Sequence, residues 1–446
     1  MGPWRGDGRF LRRQSGPITP FSRWWTLAAT ALVLALCPTG VQGQGTPYPH
    51  ADEPIGTARE IYDGVLSPDM AIRTFRNIDR LFPSATVPRA ARPRPLTVAR
   101  TPLPAMQIVV DGMEYSLSDF LELNRVAGLL VLHDGQVKLE QYRFGNTERT
   151  RWMSMSVAKS VMSTLFGVAL RDGLIGSLTD PVTRYVPSLK GSAYDGVSVR
   201  DVLMMASGVQ WSETYTDPAS DRRRLLEAQI AQQPGGALGI MRALPRAAEP
   251  GYVNNYNTGE TQVAAEVLRS AVGRPLAAYL HDRIWEPVGM EADATWWLDS
   301  PDGVEIGGSG FSATLRDYGR FGLFVLEHGV VDGESILPEG WMEDASTPKV
   351  LNGGAPLDYG YLWWPGTSAA ARRDRAYLGR GIHGQYLYVN PVTQVVVVVW
   401  SAQPRPTGDG VVDEWAFFEA VDQVLRIGTV LGNNRLDVTM PVGDCP

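Results

Sequence analysis

The chain has 446 residues, 44% hydrophobic and 20% charged, which suits one large or two ordinary globular domains and excludes wholesale disorder. A formal net charge of −7 argues against a nucleic-acid surface, which needs a basic face. No His-Glu-x-x-His spacing, Gly-x-x-x-x-Gly-Lys loop or Gly-x-Ser-x-Gly elbow occurs, so no metal site, no cofactor and no α/β-hydrolase centre is expected.

The first 43 residues carry Arg5, Arg9, Arg12, Arg13 and Arg23 against Asp7, and removing them takes the formal charge from −7 to −11. Arg23 precedes the apolar run "WWTLAATALVLALC", too short to span a bilayer comfortably, and "VQG" at 41–43 offers small residues for cleavage. Residues 1–43 therefore read as a secretory signal, and the expected location is periplasmic or extracellular. The alternatives are an uncleaved anchor and lipidation of Cys37, although Leu36 is large for the position before a lipidated cysteine. After cleavage only Cys445 remains, so the fold must stand on its core without an internal disulfide.

Residues 44–105 are proline-rich and read as an irregular extension laid over a domain surface, with at most one helix near 67–80. Order is expected from about Ile108 to the C-terminus, a single domain spanning 106–446. "VAGLLVLHDGQVKLEQYRFG" (126–145) predicts a hairpin turning at Asp134-Gly135. Helical periodicity follows in 156–173, 258–273, 275–289, 312–329 and 412–427. In the first of these helices, Val161, Met162, Leu165, Phe166, Ala169 and Leu170 share one face, and Gly173 suits a C-terminal cap. A second hairpin, "GQYLYVNPVTQVVVVVWSA" (384–402), has a final strand apolar on both faces, which must be covered on both sides. Strands thus flank a helical middle. The expected class is α+β: an antiparallel sheet built from both chain ends, flanked by helices, with a mostly helical insertion at about 180–300.

Chemistry enters at "SMSVAKS" (154–160). Ser156 and Lys159 are three residues apart at a helix start, so their side chains can meet, and free amides and the positive dipole end favour an attacking oxygen. The chain has only four lysines among 41 basic residues, so a lysine inside an apolar helix is hard to read as surface charge. Arginine could not replace it as a base. Ser346 also precedes Lys349 by three, but Pro348 disfavours helical geometry at Thr347. His133, His281 and His328 read as structural, and Trp296-Trp297 and Trp363-Trp364 as core or cleft walls.

Downstream, "PGYVNNYNTGETQ" (250–262) places Tyr256 at a helix entry, and "GRGIHGQYLYV" (379–389) opens a glycine-flanked strand. This order of Ser-x-x-Lys, Pro-Gly…Tyr and x-His-Gly-Gln resembles the serine β-lactamase-like, or penicillin-recognising, superfamily. Its class C-like serine hydrolases and 6-aminohexanoate-dimer hydrolases are the nearest in look. The resemblance covers about 115–430 and includes "DPVTRYVP", "VLMMASGVQWSETY", "IWEPVGMEADATWW", "TLRDYGRFG" and "YGYLWW".

The resemblance implies that Ser156 is acylated, that Lys159 is its base, and that Tyr256 relays the proton to the leaving group. It implies an oxyanion hole from the Ser156 amide and one amide of 382–385, with Tyr215, Ile382, His383 and Gln385 facing substrate. The implied activity is hydrolysis of a small amide or ester; the alternatives are a β-lactamase or DD-peptidase, or a non-catalytic peptidoglycan-binding protein. Two departures stand out. Thr258 occupies the asparagine position of Tyr-x-Asn, and Ile382-His383-Gly384 replaces the lysine and hydroxyl that hold a β-lactam carboxylate. No nucleic acid and no membrane partner beyond the export signal are expected.

Overall fold

The computed structural model describes residues 48–433; the expected signal segment 1–43, Cys37 and Cys445 lie outside them. Seven strands form the main sheet, in chain order β1 (Thr97–Val98), β2 (Val126–His133), β3 (Gln136–Tyr142), β4 (Trp364–Pro365), β5 (Tyr377–Gly381), β6 (Gln385–Asn390) and β7 (Val395–Ser401). Their spatial order is β4-β5-β6-β7-β2-β3-β1, so the two chain ends meet where β7 pairs with β2. All neighbours are antiparallel except β1, which runs parallel to β3. The β2–β3 turn holds Asp134 at φ 48° and Gly135 at φ 71°, the left-handed pair that a two-residue hairpin demands.

Strand β7 shows why this sheet needs two helical covers. Val396, Val398 and Trp400 enter one core, and Val395, Val397 and Val399 enter another shared with Phe417, Phe418 and Val421. Four long helices matter here: α1 (Val157–Arg171), α2 (Thr258–Val272), α3 (Leu315–Leu326) and α4 (Glu414–Asn433). The α4 aromatics cover one face of β7. On the other face, Gly319 and Gly322 of α3 let the helix lie close; a methyl group at either would stand 2.5 Å from Leu130 or 2.4 Å from Val396.

Three expectations change. Helix α1 is buried on every side from Val157 to Ala169, because it lies between the sheet and the helical layer and presents no solvent face. The 312–329 segment begins as a strand. Phe311–Thr314 joins Ser84–Val87, Ala294–Trp297 and Arg151–Met153 in a four-stranded sheet, whose strands are too short to show a period of two. That sheet delivers the chain through Met153 directly to Ser156.

The third change concerns residues 48–105, which are built into the domain. They contain helices Ala58–Asp63 and Pro68–Phe75, and Ile61, Tyr62, Ile72, Phe75 and Ile78 are buried in the main core. Phe75 sets its ring edge-on to Trp152 at 5.8 Å. Proline content signalled the breaks between these short elements and concealed the apolar residues between the breaks. Phe75→Ala should therefore cost about 3–5 kcal/mol in urea unfolding, the range for emptying an aromatic site; a loss under about 1 kcal/mol would return the segment to the surface.

Candidate active site

The nucleophile candidate stands at a backbone kink. Met155 takes φ 42°, a left-handed value unusual for a residue with a side chain, and Ser156 follows at the entry to α1. Strand β5 lies alongside because Gly379 and Gly381 carry no side chains. A methyl group at Gly379 would meet Ser160 Oγ at 2.9 Å, and one at Gly381 would meet the Ser154 carbonyl at 2.5 Å. Among the described residues, neither the Ser156 amide nor the Ile382 amide just beyond β5 donates a hydrogen bond. Both residues line a cavity of about 360 Å³ together with Tyr215, Tyr256, Trp364 and Arg380.

Lys159 is buried, and among the described residues its Nζ makes three hydrogen bonds: to Ser156 Oγ at 2.8 Å, the Gly308 carbonyl at 2.9 Å and Thr258 Oγ1 at 3.1 Å. Burial brings its pKa down from 10.5 to about 7; the Glu213 charge opposes this shift and Arg222 assists it. Gly308 has to be glycine for this approach, since a methyl group there would sit 2.4 Å from Thr261 Oγ1 and 3.2 Å from the Lys159 amine.

The Tyr256 ring lies under that amine, with Nζ 5.3 Å from its centroid, and stacks on Trp364 at 5.6 Å. Burial raises the phenol's pKa and the Glu213 charge adds to that, while the neighbouring Ser156 hydroxyl and Arg380 pull it back. Tyr215 also lines the cavity, packed on Tyr62 at 6.2 Å, its phenol pushed up by burial.

Ser156, Lys159, Tyr256, Tyr215 and Ile382 are thus brought together, whereas His383 and Gln385 are not. The turn 382–384 puts His383 at φ 62°, swinging its ring to 5.2 Å from Phe75 and its Nδ1 to the Gln403 carbonyl at 2.8 Å. Burial holds that imidazole down at about 4. Gln385 is a buried strap, donating to the His383 and Ser401 carbonyls and accepting from Trp152 Nε1. Both readings as substrate contacts are corrected, because the strand beside Ser156 is 377–381 and residues 382–384 form its turn. The cavity side chain from that strand is Arg380, paired with Glu414 at 2.9 Å. Its signal in the sequence was the alternation of "YLGRG" around two glycines.

Glu213, two residues before Tyr215, was also missed. It accepts from Thr258 Oγ1 at 2.5 Å, from the Thr258 amide at 2.9 Å and from Trp211 Nε1. The second Ser-x-x-Lys pair separates: Ser346 Oγ donates to the Met342 carbonyl and Lys349 turns to Asp344. Trp296, Trp297 and Trp363 are core, and only Trp364 reaches the cavity. Among the described residues no cluster of three or more His, Cys, Asp or Glu could hold a metal, and no helix is long and apolar enough to cross a membrane.

Residues 120–422 match the family model described as Beta-lactamase. The 6-aminohexanoate-dimer hydrolase of Paenarthrobacter ureafaciens is 32% identical over 356 residues, covering 74% of this chain and 85% of that one. The chain belongs to the β-lactamase family. It is a serine hydrolase of the β-lactamase and penicillin-binding-protein group, whose members act on small amides and esters. The fold agrees with solved members. A candidate 6-aminohexanoate-dimer hydrolase from Bacillus anthracis superposes with TM-score 0.68 at 23% identity, over 86% of this chain and 99% of that one. A candidate β-lactamase from Bacteroides dorei DSM 17855 superposes with TM-score 0.54 at 20% identity, over 69% and 97%.

The depressed lysine has a stability consequence. Between pH about 7 and 10.5 the unfolded chain binds a proton at Lys159 that the folded chain does not. Stability of the wild type relative to Lys159→Met should therefore rise with pH across that window, by at most ~1.4 kcal/mol per pH unit. Urea unfolding at pH 6, 8 and 9.5 measures this, and a difference that stays flat would mean that the amine is not held neutral.

Proposed function

We propose that this protein is an exported serine hydrolase that cleaves linear amides or esters through an acyl-enzyme on Ser156. The observation that carries the reading is the buried Lys159 amine, 2.8 Å from Ser156 Oγ. With its pKa near 7 the amine can take the Ser156 proton as the oxygen attacks the substrate carbonyl. The developing oxyanion is received by the Ser156 and Ile382 amides, each such donor being worth about a hundred- to a thousandfold in rate. Tyr256 gives its phenol proton to the departing amine or alkoxide and regains one from the Lys159 ammonium as the carbonyl re-forms. Water, deprotonated along the same path, then releases the acid and frees Ser156. Export is supported by the basic start and short apolar run of residues 1–43.

The substrate class follows from what the cavity offers. A β-lactam brings a carboxylate, and the cation on β5 is Arg380, already paired with Glu414. Engaging the ligand there leaves Glu414 without its partner. Linear substrates need only the nucleophile, base, tyrosine and amides, and the Paenarthrobacter relative is named for such an amide. Arg380 is also the one observation that favours the second reading, a β-lactamase or DD-peptidase.

Short-chain nitrophenyl esters should be hydrolysed, and 6-aminohexanoate dimer is the amide to test. A chromogenic cephalosporin should have kcat/KM lower by on the order of a hundredfold, the equivalent of one or two lost charge-assisted hydrogen bonds. A cephalosporin that outperforms every ester and amide overturns the substrate reading, and no turnover of any of them leaves the protein a binder. Ser156→Ala should abolish ester hydrolysis while Ser346→Ala leaves it near wild type; the reverse pattern refutes the nucleophile. The wild-type rate should rise with pH through an ionisation near 7, as the Lys159 ammonium is converted to amine.

A further inference from the structure

The hydrogen-bond polarity around Lys159 is determined at a distance. A neutral amine has two N–H donors and one lone pair. Its three contacts are the Gly308 carbonyl, Thr258 Oγ1 and Ser156 Oγ. The Gly308 carbonyl can only accept, so it takes one N–H. Thr258 has a single hydroxyl proton, and that proton is committed to the Glu213 carboxylate, which also can only accept. Thr258 Oγ1 must therefore accept the second N–H. The lone pair is left with one direction, towards the Ser156 hydroxyl.

We propose that Glu213 is a positioning residue that acts through Thr258 to aim the Lys159 lone pair at Ser156. The inference rests on the reading of Ser156 and Lys159 as nucleophile and base. Glu213 is itself held by donors, with Trp211 Nε1 and the Thr258 amide both meeting its Oε2. Among the described residues, Oε1 is left for the Thr258 hydroxyl alone. The threonine is a working part of the site, in a position where the resemblance expected asparagine. After proton transfer the same line stabilises the ammonium, since a negative charge stands one hydroxyl away. Glu213 also belongs to the segment that carries Tyr215 into the cavity, so the loop facing substrate and the orientation of the base are mechanically connected.

Glu213→Gln tests this because the substitution inverts the polarity. Two donors at the Oε2 position select the amide oxygen there and turn the NH2 towards Thr258. Thr258 then accepts from that NH2, and its own proton is driven towards the Lys159 lone pair. The plateau kcat/KM for a nitrophenyl ester should fall roughly ten- to a hundredfold, within the reach of general-base catalysis. The acid limb should move to lower pH, because the carboxylate that favoured the ammonium is gone. The other groups facing the amine, namely Ser156, the Tyr256 ring and the Arg222 charge, are unchanged in this variant.

A merely loosened loop would hydrate Lys159 and move that limb upward. Thr258→Val should also slow turnover, and Thr258→Ser, which keeps the hydroxyl, should stay within a few-fold of wild type. The proposal is overturned if Glu213→Gln keeps its plateau within about threefold, if its acid limb moves up, or if Thr258→Val matches Thr258→Ser. Should Glu213→Gln fail to fold, the Thr258 pair decides. Wild-type protein with no ester turnover would instead refute the reading of Ser156 itself.

Discussion

A primary amine removed from water is the constraint on which the site depends. An isolated buried ammonium is costly, so the group either finds a full set of partners or loses its proton. Lys159 does both in part: three oxygens surround it and its pKa falls to about 7. Much of the local structure serves to create that environment. Helix α1 is buried on all sides, Gly308 brings a carbonyl where no side chain would fit, and Gly379 and Gly381 let β5 close the flank.

The architecture explains how such a site is both buried and open. The sheet formed from the two chain ends supplies the wall with the free Ile382 amide. The helical layer supplies Tyr256 and Thr258 at the entry to α2, and the small four-stranded sheet supplies the approach to Ser156. Three separate stretches of chain therefore converge at the N-terminus of α1. The amine sits below that point, and the serine sits at its edge with the cavity above. Residues 48–105 brace this arrangement from behind, where Phe75 touches both Trp152 and the His383 ring.

Legibility in the sequence followed the range of the interaction. The Ser156–Lys159 pair was legible because its spacing is local and lysine is scarce in this chain. The two hairpins were legible because Asp134-Gly135 and the run Val395–Trp400 have a local physical meaning. The family resemblance carried Tyr256 and Tyr215, which no periodicity would have found. Arg380 was missed because the register of β5 depends on how closely two glycines approach α1. His383 was misread because residues 382–384 form a turn and not a strand, and its φ of 62° swings the ring away from the cavity towards Phe75. Glu213 reaches the site through tertiary contacts across 45 residues of chain, and a lone glutamate in "WSETY" gives no sign of them. The N-terminal segment was misjudged because its proline content obscured the apolar residues that fill the core.

The central claim is that Ser156 carries the acyl group, and the direct measurement is intact-mass analysis of protein quenched during turnover of a slow ester, followed by peptide mapping. The account predicts a single acyl adduct on Ser156 that decays as product accumulates. An adduct on any other residue, or ester turnover that continues in Ser156→Ala with no adduct at all, would contradict it.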